Sequence, residues 1–172
     1  MSEANNTSLL GQDSNEEEQV GVQYLTFLLN GEQYGLGILS VQEIRGWEPV
    51  TRVPNSPRYV KGVVNIRGNI VPVFDLRLRF GLPEEAYSDE TVVIVVRAGK
   101  EGRERSMGLV VDAVSDVLVV QDEDISKTPQ FGADVPTENI RGLVTDGEQM
   151  VMLLDLDSLV LRDPASPEHD AA

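Results

Sequence analysis

Residues 59–78 read YVKGVVNIRGNIVPVFDLRL, and this stretch decides the fold. It breaks into two apolar runs joined at Asn65–Asn69. The second run, Ile70-Val71-Pro72-Val73-Phe74-Asp75-Leu76, is rich in β-branched and aromatic side chains, which suit a pleated, half-buried surface. The reading is a β-hairpin. Pro72 lacks an N–H to give to a ladder, so its strand is expected at a sheet edge or at a bulge. Arg67 then lies at the hairpin tip.

Working outward, the pattern returns further along the chain at a constant offset of 80. Lys61-Gly62-Val63-Val64 matches Arg141-Gly142-Leu143-Val144, Val71 matches Val151, and Asp75-Leu76 matches Asp155-Leu156. A second echo has an offset of 73: Gly35-Leu36 with Gly108-Leu109, Val41 with Val114, Glu43 with Asp116, Ile44 with Val117. Two ordered blocks at nearly equal spacing indicate an internal duplication, with the difference between the offsets taken up in a loop. Two copies are too few for a solenoid, so the expectation is a duplicated small β module.

The rest of the chain is read around that module. Gln23–Asn30 and Glu32–Gly37 form a hairpin around Asn30-Gly31. Ile38–Trp47 has helical spacing at Ile38, Val41 and Ile44, but Gly35, Gly37 and Gly46 oppose a long helix, so this segment stays open between a helical turn and a strand. The prolines of Val53-Pro54-Asn55-Ser56-Pro57 mark a loop. Leu76–Phe80 reads as one helical turn. Thr91–Ala98, TVVIVVRA, is too continuously apolar for a half-exposed strand and belongs between two packed layers. Gly99–Arg105 is a charged loop, and Met107–Val120 one long strand with a break. Ile140–Val144 and Met150–Leu156 form a last hairpin, with Leu156–Leu161 a closing helix. About ten short strands point to an all-β barrel or sandwich. Residues 1–20 and 162–172 have little to bury and are expected to be disordered tails.

Composition removes several classes of function. The 172 residues suffice for one domain or two small ones sharing a core. There is no cysteine, hence no disulfide, thiolate metal site or cysteine nucleophile, in keeping with a reducing cytoplasm. Neither a signal peptide nor a membrane span is visible. The net charge of −15 is unevenly spread. Residues 1–20 carry five acids and no base, and residues 91–161 carry 13 acids against six bases. Residues 44–80 carry seven bases against two acids, a local +5. That patch is either ordinary surface or a contact for an acidic partner. Nucleic acid is not expected, since the overall field repels it and no basic stripe with interleaved aromatics exists.

Catalytic patterns fail one by one. The single imidazole, His169, lies in the C-terminal tail, so no Ser-His-Asp arrangement is expected. No phosphate-cradling loop occurs, and Gly35-Leu36-Gly37 lacks the third glycine of a dinucleotide fingerprint. Asp122-Glu123-Asp124 opens like a calcium loop, but Lys127 and Ala133 occupy the positions needing glycine and glutamate. Asp75 and Asp155 suit strand-to-turn caps better than a catalytic pair. No catalytic residue, metal or cofactor is assigned. What remains suits a binding module: Arg67 on a hairpin tip, apolar Val41, Ile44, Val114 and Val117, and a lone Trp47.

At these residues the chain resembles the CheW family of chemotaxis coupling proteins. The motifs are YGLGILSVQEIRG at 34–46, VKGVVNIRGNIVPVFDLRLRFG at 60–81, TVVIVV at 91–96 and MGLVVDAVSDVL at 107–118. The resemblance spans roughly residues 20–161. It implies two intertwined five-stranded SH3-like β-barrels, approximately 35–90 and 91–161 plus the N-terminal strand 21–34, within a domain at 21–161. It also implies a cytoplasmic adaptor without enzymatic activity, recruited to chemoreceptor arrays. Its implied partners are the receptor's cytoplasmic hairpin tip and the regulatory domain of the histidine autokinase CheA. Val41, Ile44, Arg67, Val92 and Gly142 match positions associated with receptor binding. Ile38, Glu43, Lys61 and Phe131 match positions associated with the kinase, and Glu43 is shared. The loop Gly99–Arg105 and the long acidic N-terminal tail depart from compact members. The alternatives are an adaptor of a pathway driving pili or another output, a receiver-linked adaptor, the kinase's own regulatory module, and a small-ligand binder on a β-barrel.

Overall fold

The computed structural model describes residues 21–100, 102–127 and 137–161. Ten strands carry the fold: β1 (Val22–Leu29), β2 (Glu32–Gly37), β3 (Val41–Gly46), β4 (Val60–Ile66), β5 (Asn69–Asp75), β6 (Val92–Ala98), β7 (Arg105–Val111), β8 (Ala113–Val120), β9 (Ile140–Asp146) and β10 (Gln149–Leu154). Two short helices, α1 (Leu76–Arg79) and α2 (Leu156–Leu161), follow β5 and β10. The segment left open at Ile38–Trp47 resolves into both of its readings, a 3-10 turn at Ile38–Ser40 and then β3.

The strands form two sheets, ordered β8-β1-β2-β10-β9 and β3-β6-β7-β5-β4. The internal repeat explains both orders. The offset of 73 maps β3 onto β8 and β2 onto β7; the offset of 80 maps β4 onto β9 and β5 onto β10. With β1 and β6, each second in its sheet, as the remaining pair, substituting each strand by its counterpart turns one sheet order into the other. Even the parallel registers correspond, with Val73 opposite Gly108 and Leu153 opposite Gly35. The copies have therefore exchanged strands. β1 and β2 complete the sheet of β8–β10, while β6 and β7 complete the sheet of β3–β5.

Several expectations change in detail. β5 is not an edge strand, since it lies between β7 and β4. Pro72 is tolerated there for two reasons. Its partner Val63 turns its own N–H and C=O toward Thr51, so Val63 and Pro72 face each other without exchanging bonds. On the other side, pairing with β7 begins at Val73, one residue later. The expected long strand over Met107–Val120 is two strands in two sheets, and the break at Asp112 is where the chain passes between them. Sheet membership also divides the chain elsewhere than at residue 91: β6 and β7 pair with β3 and β5. Each sheet is a linear ladder, not a continuously closed barrel. It curls far enough for the chain beyond its first edge strand to bridge to its last, through Thr51–Val63 in one sheet and Ser126–Leu143 in the other.

Those two bridges explain two glycines. A Cβ on Gly62 would lie 2.1 Å from the Thr51 carbonyl oxygen, and its φ of +148° is strained for a side chain. A Cβ on Gly142 would lie 2.4 Å from Ile125 Cγ2 and 2.8 Å from the Ser126 oxygen. Each glycine lets a crossing segment lie flat on the outer strand.

The main core lies between the sheets. Phe27, Leu29, Tyr34 and Leu36 from one meet Phe74, Ile94, Val96 and Leu109 from the other. Smaller clusters fill each sheet's opposite face: Val73, Val93, Val95 and Val110, and Tyr24, Val120, Val144, Val151 and Leu153. TVVIVV is buried on both faces, as its unbroken apolar run requires. The repeated aspartates cap the helices as expected. Asp75 Oδ1 accepts from Leu78 N at 3.3 Å, and Asp155 Oδ1 from Ser158 N at 3.1 Å. A polar clasp ties the copies together. The buried Arg77 guanidinium donates to Asp112 Oδ1 at 2.8 Å, to the Pro83 carbonyl at 2.6 Å and to Glu85 at 2.5 Å. Asp112 Oδ2 in turn accepts from Asn30 N at 2.8 Å.

Candidate protein-binding surfaces

The β4–β5 hairpin closes through a two-residue turn at Arg67-Gly68, flanked by the pair Ile66–Asn69. Both turn residues have positive φ, +53° and +87°. Asn30 and Gly31 in the β1–β2 turn show nearly the same values, +53° and +80°. The right-handed twist of a hairpin favours this geometry, and Asn-Gly is its preferred sequence. Arginine at the first position is a departure, because a non-glycine residue held left-handed costs on the order of 1–2 kcal/mol. Asn65 Oδ1, accepting from Gly68 N at 3.0 Å, helps to hold the turn. The strain presents a guanidinium to solvent: the Arg67 side chain is 84% exposed.

Arg67 faces the edge strand β3. Its Nη2 lies 3.9 Å from Glu43 Oε2, and Arg45 Nε lies 3.6 Å from Glu43 Oε1. Glu43, Arg67, Val95, Arg97 and Ser106 line a small polar hollow of about 130 Å³. Cross-strand partners share a face, so the β3–β6 register sorts the remaining residues. Val41 pairs with Val96, Ile44 with Ile94 and Gly46 with Val92, all on the main-core face; Glu43 pairs with Val95 on the other. Four of the five residues matched to receptor binding thus wrap around the edge of β3, with Val41 and Val92 half-buried, Ile44 45% exposed and Arg67 across the edge; Gly142 lies on β9 in the other sheet. The register slips between Val41 and Glu43, which puts both Val41 and Ile44 on one face although they are three apart.

The residues matched to kinase binding are spread more widely. Glu43 belongs to the Arg67 patch, so the two sets meet there in one ion pair. Ile38 sits half-buried on the 3-10 turn between the sheets, packed on the main core. Lys61 is on β4, the opposite edge of the sheet, with Nζ 5.4 Å from the centre of the Tyr87 ring. Tyr87 also meets Trp47 edge-on at 4.5 Å and donates its hydroxyl to Asp75 Oδ2 at 2.5 Å. Burial, and then that bond to a carboxylate, push the Tyr87 phenol well above its ordinary value. Trp47 is therefore a half-buried packing residue. Gly142 is buried beneath Ile125 and Ser126. Phe131 lies outside the described residues.

Among the described residues, the two most exposed large aliphatic side chains have no role in the sequence-based reading. Leu39 is 97% exposed on the turn between β2 and β3, and Ile70 is 66% exposed just past the Arg67 turn. The repeat carries a signal for both. At the shorter repeat offset Leu39 corresponds to Asp112, a position open to polar groups. At the longer one Ile70 corresponds to Met150, itself 55% exposed.

Among the described residues, no group of three His, Asp or Glu side chains could hold a metal ion. An exposed arginine on a strained turn and aliphatic side chains along a sheet edge sit on a doubled β scaffold, the chemistry of a candidate protein-binding surface. The chain belongs to the CheW-like domain family, whose model matches residues 23–163. It is 46% identical over 143 residues to the chemotaxis protein CheW of Klebsiella aerogenes, covering 83% of this chain and 84% of the relative. It is 32% identical over 145 residues to the chemotaxis protein CheW of Bacillus subtilis, covering 84% and 90%. The crystal structure of the scaffolding protein TtCheW from Thermoanaerobacter tengcongensis superimposes with a TM-score of 0.72 at 30% identity, over 81% of this chain and 92% of that one.

Proposed function

We propose that this chain is a chemotaxis adaptor that holds chemoreceptor tips beside the regulatory domain of the histidine autokinase CheA and performs no chemistry itself. The observation that carries this reading is Arg67, an arginine kept in a left-handed turn where asparagine would be more stable. Strain persists where function selects it. The names of the relatives, chemotaxis protein CheW and scaffolding protein, support the same role.

In this reading the receptor's helical hairpin lies along the free edge of β3. Ile44 and the half-buried Val41 and Val92 supply apolar contact, and Arg67 fixes the register on a carboxylate or carbonyl. Gly142 contributes indirectly, by letting the 125–126 segment pack. Ile38, Glu43, Lys61 and Phe131 face the kinase, and the two strand-exchanged halves act as two subdomains. Signal passes only through differential contact with two kinase states. The adaptor works in the cytoplasm and reaches the membrane through the receptors; no helix among the described residues is long and apolar enough to cross.

The test is co-sedimentation of full chain with receptor-containing membranes. Arg67→Asn keeps the turn and removes the cation; Arg67→Glu reverses it. Both should abolish receptor binding while circular dichroism stays unchanged. Wild-type binding by Arg67→Glu would refute the assignment.

A further inference from the structure

The 47–58 loop and the start of β4 enclose an open cleft of about 760 Å³. Trp47, Pro54 and Pro57 give it apolar walls, and Arg52, Arg58 and Lys61 give it a cationic rim. The loop is built, not slack. Thr51 exchanges two backbone bonds with Val63 at 2.8 and 3.0 Å, Ser56 Oγ donates to the Val53 carbonyl at 2.7 Å, and Val60 N donates to the Pro57 carbonyl at 3.0 Å. A preformed cleft binds at a smaller ordering cost. Its charge is only partly matched: Arg58 pairs with Glu84, while Arg52 has no ion pair with a described residue and Lys61 sits over the Tyr87 ring. A cleft of this chemistry suits an extended acidic peptide that also carries aliphatic side chains.

The same chain contains one. Residues 9–18 read LLGQDSNEEE: two leucines, then Asp13 and Glu16, Glu17 and Glu18, with no base anywhere in residues 1–20. We infer that the 47–61 cleft is a peptide-binding site for an acidic, leucine-containing segment, and that residues 9–18 occupy it in cis. Reach is sufficient. The stretch from Leu9 to Gly21 spans up to about 40 Å when extended, comparable with the full width of a compact domain of this size, whose radius of gyration is about 14 Å. Weak intrinsic affinity suffices, because a tether of this kind supplies an effective concentration on the order of millimolar. The occupied cleft would cover Lys61, so the tail would compete with whatever approaches that edge of the sheet. The inference does not depend on the receptor contact at Arg67.

The test uses the full chain, which has no native cysteine. A nitroxide on Gln12→Cys should broaden the amide signals of Val53, Asn55 and Arg58 selectively. The broadening should be lost at about 1 M salt, where the screening length falls to about 3 Å. It should also be lost when Glu16, Glu17 and Glu18 are changed to Lys, and in Arg52→Glu. Even, weak broadening over both sheets, a focus elsewhere, or persistence after charge reversal overturns the inference. So does broadening that arises only between separately labelled chains, which would place the segment on a second copy.

Discussion

Replacing Arg77 by methionine isolates the clasp between the copies. The side chain is only 8% exposed, and it donates to one backbone carbonyl, two carboxylates and, at 3.5 Å, the Asn30 side-chain oxygen. Its bond to Asp112, the largest influence on it, holds the guanidinium more firmly charged than usual. Methionine fills similar volume but leaves Asp112 and the Pro83 carbonyl without that donor. A charge-assisted bond contributes about 1.5–3 kcal/mol, and stranding a buried partner costs more. Two features reduce the loss. The Asp112 side chain is 32% exposed, so water can reach it, and Glu85 at 67% exposed contributes little. The expected loss is about 2–4 kcal/mol, read as a lower urea midpoint at unchanged slope. In a chain of this length that lowers Tm by roughly 5–15 °C. Adding Asp112→Asn removes the stranded carboxylate, so the double variant should be more stable than the sum of the single losses by about 1–2 kcal/mol. A loss under about 1 kcal/mol, or strict additivity with Asp112→Asn, would refute the idea that this clasp joins the copies.

Three further outcomes follow from single residues. The Tyr87 phenol ionises at a higher pH folded than unfolded, so its stabilisation is complete below the unfolded value near 10 and falls as pH rises above it. Unfolding free energies from urea titrations at pH 8 to 11.5 should decline by up to about 1.4 kcal/mol per pH unit at the alkaline end, and Tyr87→Phe should flatten that decline while costing about 1 kcal/mol at neutral pH. Gly62→Ala must push its methyl into the Thr51 carbonyl and should cost at least about 3 kcal/mol by the same urea assay; Gly31→Ala meets nothing within 4 Å and should cost about 1 kcal/mol from its φ alone. Arg67→Asn relieves the turn and gives up only an exposed 3.9 Å ion pair, so Tm should rise slightly, by about 2–4 °C, in the same variant expected to lose the proposed receptor contact.

Much of the strand layout was legible because it follows from local chemistry. Asn30-Gly31 dictated a tight turn, and TVVIVV could be apolar throughout only if covered twice. The repeated Asp-Leu steps marked both helix caps. The repeat was legible as well, since its two offsets are properties of the chain. Sheet membership was not, because strands exchanged between two similar copies obey the same local rules as strands kept within one. Only the partners across the exchange differ: β1 and β2 pair with β8 and β10, and β6 and β7 with β3 and β5. Pro72 signalled an edge or a bulge; the edge fails, because β7 joins one residue later, while the β4–β5 ladder does slip beside it, between Val60 and Gly62. At the surface, Arg67 stood out by its place in a turn. Its ion pair with Glu43, on a strand well upstream, and the stack of Lys61 on Tyr87 depend on how the sheet curls, which no spacing records.

Strand exchange has a consequence for how the chain can be cut. A nick anywhere in 82–90 yields two pieces of which neither contains a complete sheet, since each holds two strands belonging to its sibling. Kept apart, each would expose bare strand edges; mixed, they should reassemble one to one. The arrangement has the connectivity of a strand-swapped dimer joined into one polypeptide. Its two halves are not identical: the hairpin carrying Arg67 on one side carries Asp146 and Glu148 on the other. A symmetric dimer would present the same face twice; the joined pair presents two different ones.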